Sequence, residues 1–360
     1  MQNSDKINNA EEKNNSEYLN VKKDRIIFLD ILRILATIAV IFIHVAAQNW
    51  SDTDPTSYEW NVFNVYDSIA RWAVPVFVMI SGALFLDNSK KIDIKRLYKN
   101  NILRIITAFV FWSCLYAIIE FILKKENFVE LIKNIINGHY HLWFLYMIVG
   151  LYIIVPILRK ITENQRVTEY FLALSLIFTF IIPSLLEIPI FSDLVKVRDN
   201  IGFYLTLGYS SYFVLGYWLS QKKFQLKTRK IIYFFSVLGF IITILGSTII
   251  SKYKMQPFGL YNEFLPNVLL ESIGVFIFIK NFALKNKFKY ENKIYKLSKY
   301  SFGIYLVHVL IIGILKKAGI NTLIINPIIS VPTIVIIVFI ISLIISMIIN
   351  NIPVLKKYIV

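Results

Sequence analysis

Inside the apolar stretch DRIIFLDILRILATIAVIFIHVAAQ, residues 24–48, three side chains could do chemistry: Asp30, Arg33 and His44. An imidazole titrates close to neutral pH and suits proton transfer, while a guanidinium offers a rigid fork of donors to carboxylates and phosphates. Ionisable groups in such a run are costly, and their presence marks function. At about 100° per residue, the step from Arg33 to His44 returns to nearly the same helix face, roughly 16 Å further along the axis. One face therefore carries a cation low and an imidazole high, a column suited to catalysis. The plainer alternative is that Asp30 and Arg33 neutralise each other three residues apart while His44 sits in the interface.

The elements that must hold this column are membrane helices. The chain has 360 residues, 56% of them hydrophobic and 17% charged. That is too apolar for a soluble protein of this size. Apolar runs of roughly 18 to 22 residues predict an all-α bundle of about ten spans. These lie near 26–47, 66–86, 102–123, 141–158, 168–187, 201–220, 229–250, 264–283, 300–316 and 328–350. The net charge of +16 does not point to nucleic acid, because the 39 Lys and Arg lie mostly in short connections between apolar runs. Alternate connections, counted from the N-terminal tail, hold most of them, which places both termini in the cytoplasm. Residues 1–23 are polar and Asn-rich and read as a disordered cytoplasmic tail without a cleavable signal. Residues 24–350 form the membrane domain, and 351–360 read as a short cytoplasmic tail. One cysteine, Cys114, excludes disulfides within the chain and thiolate metal clusters.

Other spans contribute further candidates. The connection QNWSDTDPTSYEWNVFNVY, with acidic and aromatic residues and no Lys or Arg, suits contact with a sugar. The second span holds Arg71 near its outer end, followed by Pro75, which should break the backbone ladder there. Lys99, Arg96 and Arg104 lie at the inner edge of the third span, where Lys residues also serve as positive-inside anchors. Apolar spacing at Phe128, Leu131, Ile132 and Ile135 predicts a helix lying along the outer interface. It leads into GHYHLWFLY, which puts His139, His141 and Trp143 at the outer rim of the fourth span. Two histidines two residues apart share no helix face and have no Cys or carboxylate nearby, so no metal site is expected. Trp143 and Tyr140 serve either as interface aromatics or as substrate contacts. The sixth span is rich in hydroxyls and small residues; close packing explains Gly216, and cavity lining explains tyrosines such as Tyr209. Glu271 lies buried in the eighth span, where an Arg or His of another span could pair with it, and His308 sits near the middle of the ninth.

Taken in order, LDILRILATIAVIFIHV, SIARWAVPVFVMISGALF, GHYHLWFLYMIVGLYIIVPIL, YSSYFVLGYWLS and YSFGIYLVHVLII resemble the acyltransferase-3 family of integral membrane acyltransferases. The likeness is nearest to the branch containing the enterobacterial common antigen O-acetyltransferase. It spans about 24–350, and its most specific part is the Arg33 and His44 pair. The resemblance implies ten spans, a cytoplasmic acyl-coenzyme A co-substrate such as acetyl-CoA, no permanently bound cofactor, and a glycan hydroxyl as acceptor at the outer face of a bacterial plasma membrane. Carried over, His44 becomes the catalytic base or acyl relay and Arg33 a donor-binding residue, with Asp30 orienting Arg33. Many members have two arginines three apart near the third span; here Arg104 fits the second and Asn101 occupies the first, leaving Arg96 or Lys99 to substitute. Arg71, His141, Trp143, Tyr209, Glu271 and His308 are then candidate substrate-side residues. A transporter or flippase without acyl transfer is the competing class, since broken helices and mid-membrane charges fit it too.

Overall fold

The computed structural model describes residues 27–89, 91–125, 127–186 and 208–359. Among these residues there is no strand. In chain order the helices are α1 (Ile27–Ala46), α2 (Tyr58–Ser68), α3 (Ala73–Phe85), α4 (Ile94–Lys124), α5 (Phe128–Asn137), α6 (Trp143–Ile153), α7 (Val155–Thr162) and α8 (Gln165–Leu186). There follow α9 (Tyr209–Gln221), α10 (Leu226–Lys254), α11 (Pro266–Lys285), α12 (Glu291–Lys299), α13 (Ser301–Lys317), α14 (Pro327–Asn351) and α15 (Pro353–Tyr358).

Seven spans among the described residues are long and apolar enough to cross a membrane, or up to nine if each bent pair is one span. The bent pairs account for two expected spans: α5 and α6 run on as one segment that turns by 58° into α7, and α12 turns by 54° into α13. Pro156 explains the first bend, because it has no N–H to continue the ladder after Ile154. The expected 201–220 span falls partly outside the described residues; its described part is α9. The expected break before Pro75 is real and reaches further back than the sequence indicates. α2 and α3 form one span interrupted at residues 69–72, where Ala70, Arg71 and Ala73 bond back only three residues. The aromatic connection read as an outer loop is therefore helical over its second half, opened by Ser57, whose hydroxyl accepts from Trp60 N at 3.1 Å.

Glycine decides how closely the spans approach. A Cβ on Gly82 would lie 1.7 Å from the Phe213 carbonyl oxygen, and one on Gly216 would lie 2.1 Å from that of Met79. α3 and α9 thus pack backbone to backbone, the role that the sequence assigns to the small residues of this region. α5 is amphipathic, with Phe128, Val129, Ile132 and Ile136 on its exposed face. The last residues do not trail away: Trp112 Nε1 and the Thr107 hydroxyl of α4 donate to the carbonyls of Ile359 and Tyr358, at 3.1 and 2.8 Å. α15 is thereby docked against α4.

Candidate active site

α1 carries Arg33 and His44 in the wall of one cavity. The buried Asp30 carboxylate accepts from Arg33 Nη1 at 3.0 Å and from the Ser298 hydroxyl at 2.6 Å. These bonds fix the guanidinium and tie α1 to α12, so the neutral pairing of Asp30 with Arg33 is also a positioning device.

Two cavities meet at His44. The larger, about 790 Å³, is lined by Arg33, Asn100, Asn101, Arg104, Lys296, Lys299 and Lys356, and by His44, His141 and Trp143. The smaller, about 490 Å³, is lined by His44, Gln48, Tyr116, Glu120, His139 and Tyr140, with Lys316 and Lys317. His44 belongs to both walls. Because Arg33 and His44 lie about three helical turns apart, the larger cavity runs along α1 from a cationic end to an imidazole end.

The cations of that end come mainly from elements that sequence spacing does not connect. Arg104 follows a π-helical turn, Leu97–Ile102, that puts Asn100 and Asn101 on the cavity wall. Arg96 and Lys99 are exposed and do not line it. The further positive charge is brought by Lys296 and Lys299 of α12 and Lys356 of α15.

Around His44 the fold gathers all four histidines of the chain. Ring centres lie 5.0 Å apart for His44 and His308, 6.5 Å for His44 and His141, and 5.5 Å for His141 and His308. His139 Nδ1 and His141 Nδ1 are 3.0 Å apart, so one donates and the other accepts. Tyr140 packs on His44 at 5.4 Å, and Tyr305 donates its hydroxyl to the His141 carbonyl. The 3-10 turn Tyr140–Leu142 reconciles the sequence argument with the geometry: His139 and His141 share no α-helical face, yet both reach the cluster. Among the described residues no group of three His, Cys, Asp or Glu is placed to hold a metal ion. Gln48, which sequence reasoning passed over, has both amide atoms buried without a hydrogen-bond partner at the smaller cavity. Its only sequence signal is its position one turn beyond His44.

The remaining candidates sit elsewhere. Arg71 pairs with buried Asp67 one turn away, and its guanidinium lies 4.0 Å over the Tyr261 ring. Tyr261 in turn donates its hydroxyl to Asn64. Arg71 lines neither cavity. In the connection between α10 and α11, burial pushes the carboxyl of Glu263 above the usual carboxylate range. Glu271 is fully buried, and the group bonded to it is the Thr243 hydroxyl of α10 rather than the expected Arg or His. Tyr209 packs between Trp143, at 5.7 Å, and Phe264, at 4.9 Å, and so supports the cavity wall from behind.

A family model described as an acyltransferase domain matches residues 26–351. No curated protein and no solved structure matches the chain. The match covers nearly all of the sequence, and the chain belongs to this family of membrane acyltransferases.

Proposed function

We propose that this member of the acyltransferase-domain family takes an acyl group, acetyl in the simplest case, from acyl-coenzyme A in the larger cavity to a glycan hydroxyl in the smaller one. The observation that carries the reading is the position of His44 in the wall of both cavities. Acyl-coenzyme A is strongly anionic at its nucleotide end and thin along its pantetheine arm. Arg33, Arg104, Lys296, Lys299 and Lys356 suit the phosphates, and the roughly 16 Å from Arg33 to His44 suits the arm. Gln48, Glu120 and Tyr140 offer the hydrogen bonds and ring face that a sugar requires.

In the reaction the hydroxyl oxygen attacks the thioester carbonyl carbon while His44 takes its proton. The C–S bond then breaks, and His44 returns that proton to the leaving thiolate, giving an ester and free coenzyme A. One imidazole reaching both cavities serves both transfers without a permanently bound cofactor. The distribution of Lys and Arg in the sequence supports a cytoplasmic cationic end and a smaller cavity toward the outer face, and the setting proposed for it is a bacterial plasma membrane. The resemblance of the sequence blocks to the branch of the enterobacterial common antigen O-acetyltransferase supports a glycan as acceptor.

The test is purified protein incubated with acetyl-labelled acetyl-coenzyme A and lipid-linked or surface glycans. Label should pass to glycan or be released as free acetate, coenzyme A should raise the melting temperature, and His44→Ala should lower turnover by about 10²- to 10⁴-fold without unfolding the protein. Full turnover in the folded His44→Ala protein would remove His44 from the chemistry, and transport of glycan without use of the donor would replace the reading with a flippase.

A further inference from the structure

His308 is completely buried and lines neither cavity, so it does not meet donor or acceptor. Its Nδ1 lies 2.6 Å from the Tyr305 carbonyl oxygen one turn back on α13. A carbonyl only accepts, so this contact requires the proton on Nδ1 and leaves Nε2 with its lone pair. Nε2 has no hydrogen-bond partner among the described residues. A buried acceptor left empty is costly unless something reaches it.

Two imidazoles pack against the His308 ring, those of His44 and His141, with ring centres 5.0 and 5.5 Å away. By ring centres His141 is the more distant, and its Nδ1 is taken by His139, while its Nε2 is also without a partner among the described residues. His44 is the nearer, and it is the one whose ring must present a bare nitrogen to the reacting groups. The geometry points to His308 as a positioning residue that accepts the N–H of His44, directly after a small ring rotation or through one water, and thereby fixes the His44 tautomer. The Tyr305 carbonyl sets His308, and His308 sets His44. The arrangement does for an imidazole what a buried carboxylate does in a hydrolase triad, but with a neutral acceptor that suits the interior of a membrane protein. His308 stays neutral throughout, so the proton balance of the transfer is unchanged. The inference rests on the acyl transfer proposed above for its kinetics, though not for its tautomer test.

Two substitutions separate positioning from packing. His308→Asn keeps a donor near the Nδ1 position for Tyr305 and removes the far acceptor; His308→Gln restores an acceptor near the Nε2 position. His308→Asn is expected to lower kcat by about 100-fold with KM for acyl-coenzyme A unchanged, and His308→Gln to recover most of it. Equal kcat in the two variants, whether high or low, or a loss carried by KM, would overturn the assignment. The second measurement is nitrogen-15 NMR of histidine-labelled protein, which four histidines make assignable. His308 should appear as the Nδ1–H tautomer, and His308→Asn should redistribute the tautomers of His44. An Nε2–H tautomer at His308, or an unaltered His44 signal, would overturn it even if no donor were ever used. Absence of turnover in a wild-type protein with these tautomers would instead remove the proposed reaction.

Discussion

Arg33 and Arg71 look alike in the sequence, each lying one helical turn after an aspartate within an apolar span, yet the fold uses them differently. Arg33, held by Asp30, faces a cavity of about 790 Å³ shared with His44. Arg71, held by Asp67, is covered by the Tyr261 ring and faces neither cavity. Glu271 belongs with the second kind, since it is sealed between α10 and α11 with Thr243. A buried ion pair is thus no sign of a site by itself; what distinguishes the two is space beside the charge for a ligand to occupy.

The largest effect should come from breaking the sealed pair. Arg71→Ala strands the Asp67 carboxylate and should cost about 3–5 kcal/mol of stability, read as a lower melting temperature and poor accumulation in the membrane. Asp67→Asn with Arg71→Met should restore much of that loss, and the folded double variant should keep wild-type turnover. Lost turnover in that well-folded protein would move the pair into the transfer machinery and end the contrast.

The open pair should respond in the opposite way. Asp30→Asn with Arg33→Gln leaves no carboxylate unpaired, so the fold should survive. Loss of the charged hydrogen bonds proposed from Arg33 to donor phosphates, about 1.5–3 kcal/mol, should raise KM for acyl-coenzyme A by about 10- to 150-fold. A donor KM that stays at the wild-type value would show that Arg33 is no more than a structural partner of Asp30. The smallest effect is expected at the far side of His44. Gln48→Ala removes one neutral hydrogen-bonding group, about 0.5–1.5 kcal/mol, and should weaken the acceptor by about 2- to 10-fold while leaving the donor untouched. A change in donor KM instead would mean that the two cavities are not used separately.

The sequence by itself determined the all-helical membrane class, most span positions and the Arg33 to His44 column, because apolar run length and helical periodicity are local properties of the chain. Asp30 as the partner of Arg33 was legible for the same reason, since three residues is one turn. The amphipathic α5 and the break before Pro75 were equally local. What the tertiary structure alone decided is which residues share a space. Lys296 and Lys299 join Arg33 across more than 250 positions, and His139, His141 and His308 gather at His44 from two other segments. The bonds that make α15 part of the fold likewise reach back from the C-terminus to α4. No pattern along the chain encodes these meetings. They depend on how helices distant in the chain pack against one another, as α3 and α9 do at Gly82 and Gly216.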